Sequence, residues 1–172
     1  MAETETLSPP VDNGPADEAE HDRAMLDLAA LQAYLRTQIP MAAAMGAQIV
    51  AATGAEIRLT APLEPNINHQ STAFGGSLST LAVLAGWTAV HCLLKTAGMN
   101  GQVVIQRSRY HYLAPVDRAF EAVCRPPDSE AVEDLWVRLK RYRKARVRLA
   151  VDILCGGTRT GSFEGDYVIV AP

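Results

Sequence analysis

Between Asn66 and Ser77 the chain reads Asn66-Ile67-Asn68-His69-Gln70-Ser71-Thr72-Ala73-Phe74-Gly75-Gly76-Ser77, then runs on as LSTLAVLAGWTAVHCLL to Leu94. Amides, hydroxyls and one imidazole precede a glycine pair, and no Asp, Glu, Lys or Arg lies between Glu64 and Lys95. A helix uncharged on every face is normally buried. A glycine pair at its start leaves bare backbone N–H groups where a carbonyl oxygen or an anion can dock. The chemistry this suits is stabilisation of negative charge growing on a carbonyl oxygen. Gly75 and Gly76 are the candidate donors, Asn68 the candidate orienting amide, and His69 or Ser77 a candidate proton source. Asn66, Thr72 and Phe74 are candidate substrate contacts in the same loop. Each polar residue also has a plainer role. Asn66 and Asn68 can build Asx turns, Ser77 can bond its own helical turn, and His69 can be a solvated loop residue.

The elements that position this loop can be read from hydrophobic spacing. Leu26–Ile39 carries Leu28, Leu31 and Leu35 at helical spacing, with Pro40 as its stop. Gly46–Ala52 and Glu56–Ala61 flank Thr53-Gly54 as a hairpin. Pro62 and Pro65 lead into the Asn-rich loop, and the buried helix follows from Gly75 to about Lys95. Gln102–Tyr112 and Ala119–Arg125 are strands. A short helix capped by Asp128 or Ser129 runs to about Lys140, with Val132, Leu135, Trp136 and Leu139 as its apolar stripe. Ala145–Cys155 alternates Val147, Leu149, Val151 and Ile153 against Arg146, Arg148 and Asp152. Gly156-Gly157 turns the chain into a last strand, Thr158–Val170. One uncharged helix with antiparallel strands on both sides in sequence predicts an α+β fold, a sheet wrapped around that helix. His91, inside it, reads as a satisfied core histidine.

Composition narrows the function classes. The 172 residues suffice for one domain, and apolar content near half fits a globular chain. Residues 1–24 hold seven acids against Arg23 alone, which leaves fifteen bases and twelve acids in the remainder. That segment reads as a disordered acidic tail, with 25–172 as a single domain. It lacks the basic start and apolar stretch of a signal peptide. Leu78–Leu94 is borderline for a bilayer, but its serine, threonines, glycine and histidine favour a core helix. Cys92, Cys124 and Cys155 are widely spaced and odd in number, so neither zinc nor redox work is expected, and a cytoplasmic setting fits. No His/Asp/Glu spacing suggests a metal. Arg138, Lys140, Arg141, Arg143, Lys144, Arg146 and Arg148 place seven cations in eleven residues. They are either a solvated face or a docking patch, centred on Arg141, Arg143 and Lys144, for an anionic partner. Nucleic acid is the weaker match, since net charge is −3 and no binding motif is present.

On these residues the chain resembles a family of hotdog-fold thioesterases. The run from Pro65 through Gly75-Gly76-Ser77-Leu78 to Trp87 is similar to a domain also found fused behind acetyltransferases. That family includes stand-alone malonyl-acyl-carrier-protein decarboxylases. Tyr112-Leu113-Ala114-Pro115-Val116 resembles the strand-ending motif of hotdog enzymes. The phenylacetyl-CoA thioesterase branch has an Asn, then His-Gly-Gly six residues later, then an Asp within the helix. Asn68, Gly75 and Gly76 match it, but Phe74 stands where the His would be and Val83 where the Asp would be.

The resemblance implies a homodimer, with a tetramer left open, and sites at the subunit interface. It implies an acyl-carrier-protein or CoA thioester as substrate, whose pantetheine arm is part of the substrate, and no separate cofactor. The motif and helix hold no carboxylate to activate water, and what the resemblance implies is decarboxylation of a malonyl thioester to the acetyl thioester, feeding fatty-acid initiation. Hydrolysis is the alternative and would need Asp117, Glu121 or Glu64 as its base. A non-catalytic acyl-thioester binder is a third reading.

Overall fold

A computed structural model describes residues 27–172, and the acidic segment 1–24 lies outside them. In chain order come α1 (Leu28–Gln38), α2 (Pro40–Ala44), β1 (Gln48–Ala52), β2 (Ile57–Ala61), a 3₁₀ turn (Glu64–Asn66), α3 (Gly75–Thr96), β3 (Gln102–Tyr112), β4 (Phe120–Cys124), α4 (Ser129–Tyr142), β5 (Lys144–Cys155) and β6 (Thr158–Val170). Asp27 caps α1, its Oδ1 accepting from the N–H groups of Ala29 and Ala30. Pro40 does end that helix, but it also opens α2. A proline suits the first helical position, where no N–H is needed. The sequence reading stopped at the break and missed the second helix.

The six strands form one antiparallel sheet in the order β1-β2-β4-β5-β6-β3. It curls around α3, which touches β2, β3, β4, β5 and β6. Leu81, Ala82, Ala85, Ala89 and Val90 are fully buried there. The helix is long and apolar enough to cross a membrane, but here strands cover its apolar faces. Gly86 shows how tightly they pack. The fully buried Tyr167 of β6 donates its hydroxyl to the Val83 carbonyl at 2.9 Å, and a Cβ on Gly86 would lie 2.3 Å from that oxygen. Burial also pushes the Tyr167 phenol pKa up.

The two sheet edges differ. Along β1, Gln32 of α1 donates to the Ala47 carbonyl at 3.1 Å and accepts from the Ile49 N–H at 2.6 Å, covering the edge. Among the described residues nothing pairs with the outer edge of β3, eleven residues long, on which Val104 and Ile105 stand exposed.

Candidate functional site

Helix α3 begins without a cap. Phe74 holds the N-cap position and makes no side-chain bond to the first turn. The Ser77 and Leu78 N–H groups turn back to the Phe74 carbonyl, at 2.9 and 3.2 Å. The Gly75 and Gly76 N–H groups find no acceptor among the described residues. Two bare donors thus sit at the positive end of a 22-residue helix.

The preceding loop is fastened by backbone bonds. Phe74 N–H donates to the Asn66 carbonyl at 2.7 Å, and Asn68 N–H to that of Thr72 at 2.7 Å. Ala73 N–H donates to the carbonyl of the buried Val116 at 2.7 Å, which is what the Pro115-Val116 motif does here. Ser71 adopts a left-handed backbone (φ 59°) to close the curve. Asn68 spends its amide inside this loop. Its Nδ2 donates to Thr72 Oγ1 (3.0 Å) and the Ala73 carbonyl (3.3 Å), and its Oδ1 accepts from the Gln70 N–H (2.8 Å). It is the organiser of an Asx turn, with both amide hydrogens already donated.

Asn66 is placed differently. It is 2% exposed, and its Nδ2 donates to the Met45 and Pro62 carbonyls at 2.9 and 2.7 Å. Those two bonds fix which way the amide points. Its Oδ1 accepts no bond among the described residues, and Asn66 lines a hollow of about 280 Å³ together with Met41, Met45, Phe74, Gly76, Ser77 and Thr80. No side-chain partner holds the Ser77 or Thr80 hydroxyl among the described residues. A second hollow, of about 370 Å³, lies on the Gly75 side against Leu78, Tyr112, Leu113 and Pro115, with Thr72 at its rim. No carboxylate and no cation lines either one.

The structure therefore gathers Asn66, Phe74, Gly75, Gly76 and Ser77 around one helix start. It does not bring His69 there, which stays exposed at the loop and lines neither hollow. Arg141, Arg143 and Lys144 are exposed at the α4–β5 junction and also line neither. Sequence reasoning missed Thr80 and Met41. Thr80 lies one turn beyond Gly76, so helical spacing could have found it, whereas Met41 belongs to the unforeseen α2. The carboxylates considered as hydrolytic bases are elsewhere: Glu121 pairs with Arg58 at 2.6 Å, Asp117 with Arg118 at 2.8 Å, and Glu64 lines neither hollow. Among the described residues His91 has no hydrogen-bond partner, unlike the satisfied core histidine expected. It stacks against both Tyr34 and Trp87, at centroid distances of 4.7 and 4.9 Å, the two rings lying 6.2 Å from each other, and burial, with Lys95 nearby, lowers its pKa.

Comparison with known proteins shows the family and the fold. The family model described as "Putative thioesterase (yiiD_Cterm)" matches residues 28–171. A Shewanella oneidensis structure described as a "putative thioesterase" is 36% identical, with a TM-score of 0.76 over 83% of this chain and 96% of its own. A protein of unknown function from Chlorobaculum tepidum is 31% identical, with a TM-score of 0.81 over 84% and 94%. A phenylacetic acid degradation protein from Thermus thermophilus, 22% identical with a TM-score of 0.55, shares the fold. This chain belongs to the thioesterase family of that model and adopts its hotdog fold.

Proposed function

We propose that the protein decarboxylates a malonyl thioester at the N-terminus of α3. One observation carries the reading: two unpaired N–H groups open between hollows in which no carboxylate is available to activate water. The substrate brings its own leaving group. The bond between its α-carbon and its carboxylate carbon breaks, and the electron pair moves into an enolate whose charge rests on the thioester oxygen. CO₂ departs. Gly75 and Gly76 N–H hold that oxygen, and one such donor contributes about 3 kcal/mol to a transition state of this kind. A proton from water or the Ser77 hydroxyl then reaches the α-carbon and gives the acetyl thioester. The apolar wall of Met41, Met45 and Phe74 disfavours the charged carboxylate and so favours its loss. Asn68 holds the loop in shape for this, while the Asn66 Oδ1 is free to accept from a water or a substrate N–H.

The bare edge of β3 supports pairing with a second copy, which closes an exposed strand. Exposed Arg141, Arg143 and Lys144 suit an acidic carrier protein or the phosphates of CoA. Hydrolysis is the second reading, favoured by the family description and by the Shewanella relative.

Incubation with malonyl- and acetyl-carrier protein, and with the CoA thioesters, separates the readings. CO₂ with the thioester retained is expected. Free thiol from the acetyl substrate would establish hydrolysis instead, and binding without either product would make the protein a thioester binder.

A further inference from the structure

Tyr112 ends β3 where the chain passes the start of α3. Its hydroxyl donates to the Gly75 carbonyl at 3.1 Å. Its ring covers Gly75 so closely that a Cβ there would lie 3.0 Å from the ring edge. The neighbouring Tyr110 ring supports it, with centroids 4.2 Å apart and planes tilted by 38°. The Gly75 carbonyl and the Gly76 N–H belong to one amide. A hydrogen bond accepted by an amide oxygen draws electron density from the nitrogen and strengthens the N–H as a donor. That N–H is unpaired among the described residues, and Gly76 lines the apolar hollow.

We propose that Tyr112 is a positioning residue that polarises the Gly75–Gly76 amide and so sharpens Gly76 N–H as the donor to the thioester oxygen. The inference rests on the reading above, in which these N–H groups hold the oxyanion. The phenol proton stays on Tyr112 throughout, and no covalent step involves it. A tyrosine that merely pegged strand to helix would need the bond to exist but would be indifferent to its strength. A polarising one is sensitive to the acidity of the hydroxyl.

The experiment replaces Tyr112 by Phe, 3-fluorotyrosine and 3,5-difluorotyrosine, at a pH where every phenol is protonated. It follows kcat and KM on malonyl-CoA, and the Gly76 amide proton by NMR in the free protein. Tyr112→Phe is expected to lower kcat about two- to fivefold with KM little changed, the scale of one hydrogen bond modulating one oxyanion donor. The Gly76 amide proton should move upfield in the same variant. Both quantities should climb from Phe through Tyr to the fluorinated tyrosines. A Phe variant with full kcat and an unmoved Gly76 signal would overturn the inference. So would a drop with Phe followed by equal values for all three tyrosines, the pattern of a peg. If the wild-type protein turns over no thioester, the decarboxylase reading fails, and the Gly76 shift alone then decides what Tyr112 does.

Discussion

At the scale of single residues, the two asparagines differ in how their amides are bonded. Asn68, which matches a thioesterase position, is used up by Thr72, Ala73 and Gln70. Asn66, which follows a proline and reads as turn material, is the buried amide beside Gly76. Sequence distinguishes the residue types but not which amide has spare bonding capacity, because that depends on the Met45 and Pro62 carbonyls twenty-one and four residues away. Asn66→Ala would leave both carbonyls without this donor in a buried place. The expected loss is about 2 kcal/mol of stability, from the cost of stranding a buried acceptor. Denaturant unfolding measures it; an unchanged midpoint would mean that those bonds hold nothing. Gly75 and Gly76, by contrast, open the helix where their types and place put them in the sequence.

At the scale of elements, β3 and β6 were readable to the residue and β5 to within one. Strand β5 follows from its alternation, and Gly156-Gly157, with positive φ at both glycines, marks the turn between β5 and β6. Helix α2 was not, because five residues carry too little pattern to stand out after a proline. Its absence from the sequence reading cost the site one wall, Met41. Helix α3 was legible as buried from its lack of charge, but its packing partner was not. Tyr167 lies 81 residues beyond Gly86 in the chain, and only the closed sheet brings it to 2.3 Å of a would-be Cβ. Gly86→Ala must therefore move a fully buried ring and its bond to Val83. We expect destabilisation of about 1–3 kcal/mol, the range for overpacking a tight core, against the slight gain an alanine gives in an open helix. A thermal melt gives the sign directly, and a raised midpoint would show that the ring has room to yield.

At the scale of the whole molecule, the outer face of the sheet carries its charge in cross-strand order. Arg148 of β5 grips Asp166 of β6 through Nε at 2.7 Å and a second nitrogen at 3.2 Å. The Arg148 guanidinium, with Arg146 and Arg107 nearby, holds the Asp166 carboxyl below the usual carboxylate range. A carboxyl depressed on folding adds stability that is present above the unfolded value of about 3.9, and that stability is lost as pH falls through the lower folded value. Asp166→Asn should flatten the acid limb of the melting profile below about pH 4 and leave the protein less stable above it. Equal profiles would show that the pair contributes nothing. The same sheet, curled around a charge-free helix, leaves the Gly75 and Gly76 N–H groups without an acceptor among the described residues. In the proposed function they take the thioester oxygen. Difference infrared spectroscopy of a thioester carrying a ¹³C carbonyl, acetyl-CoA bound to the protein, reads that contact directly. Donation from Gly75 and Gly76 is expected to lower the carbonyl stretch below its value in water, and a bound carbonyl at an unshifted or higher frequency would contradict it.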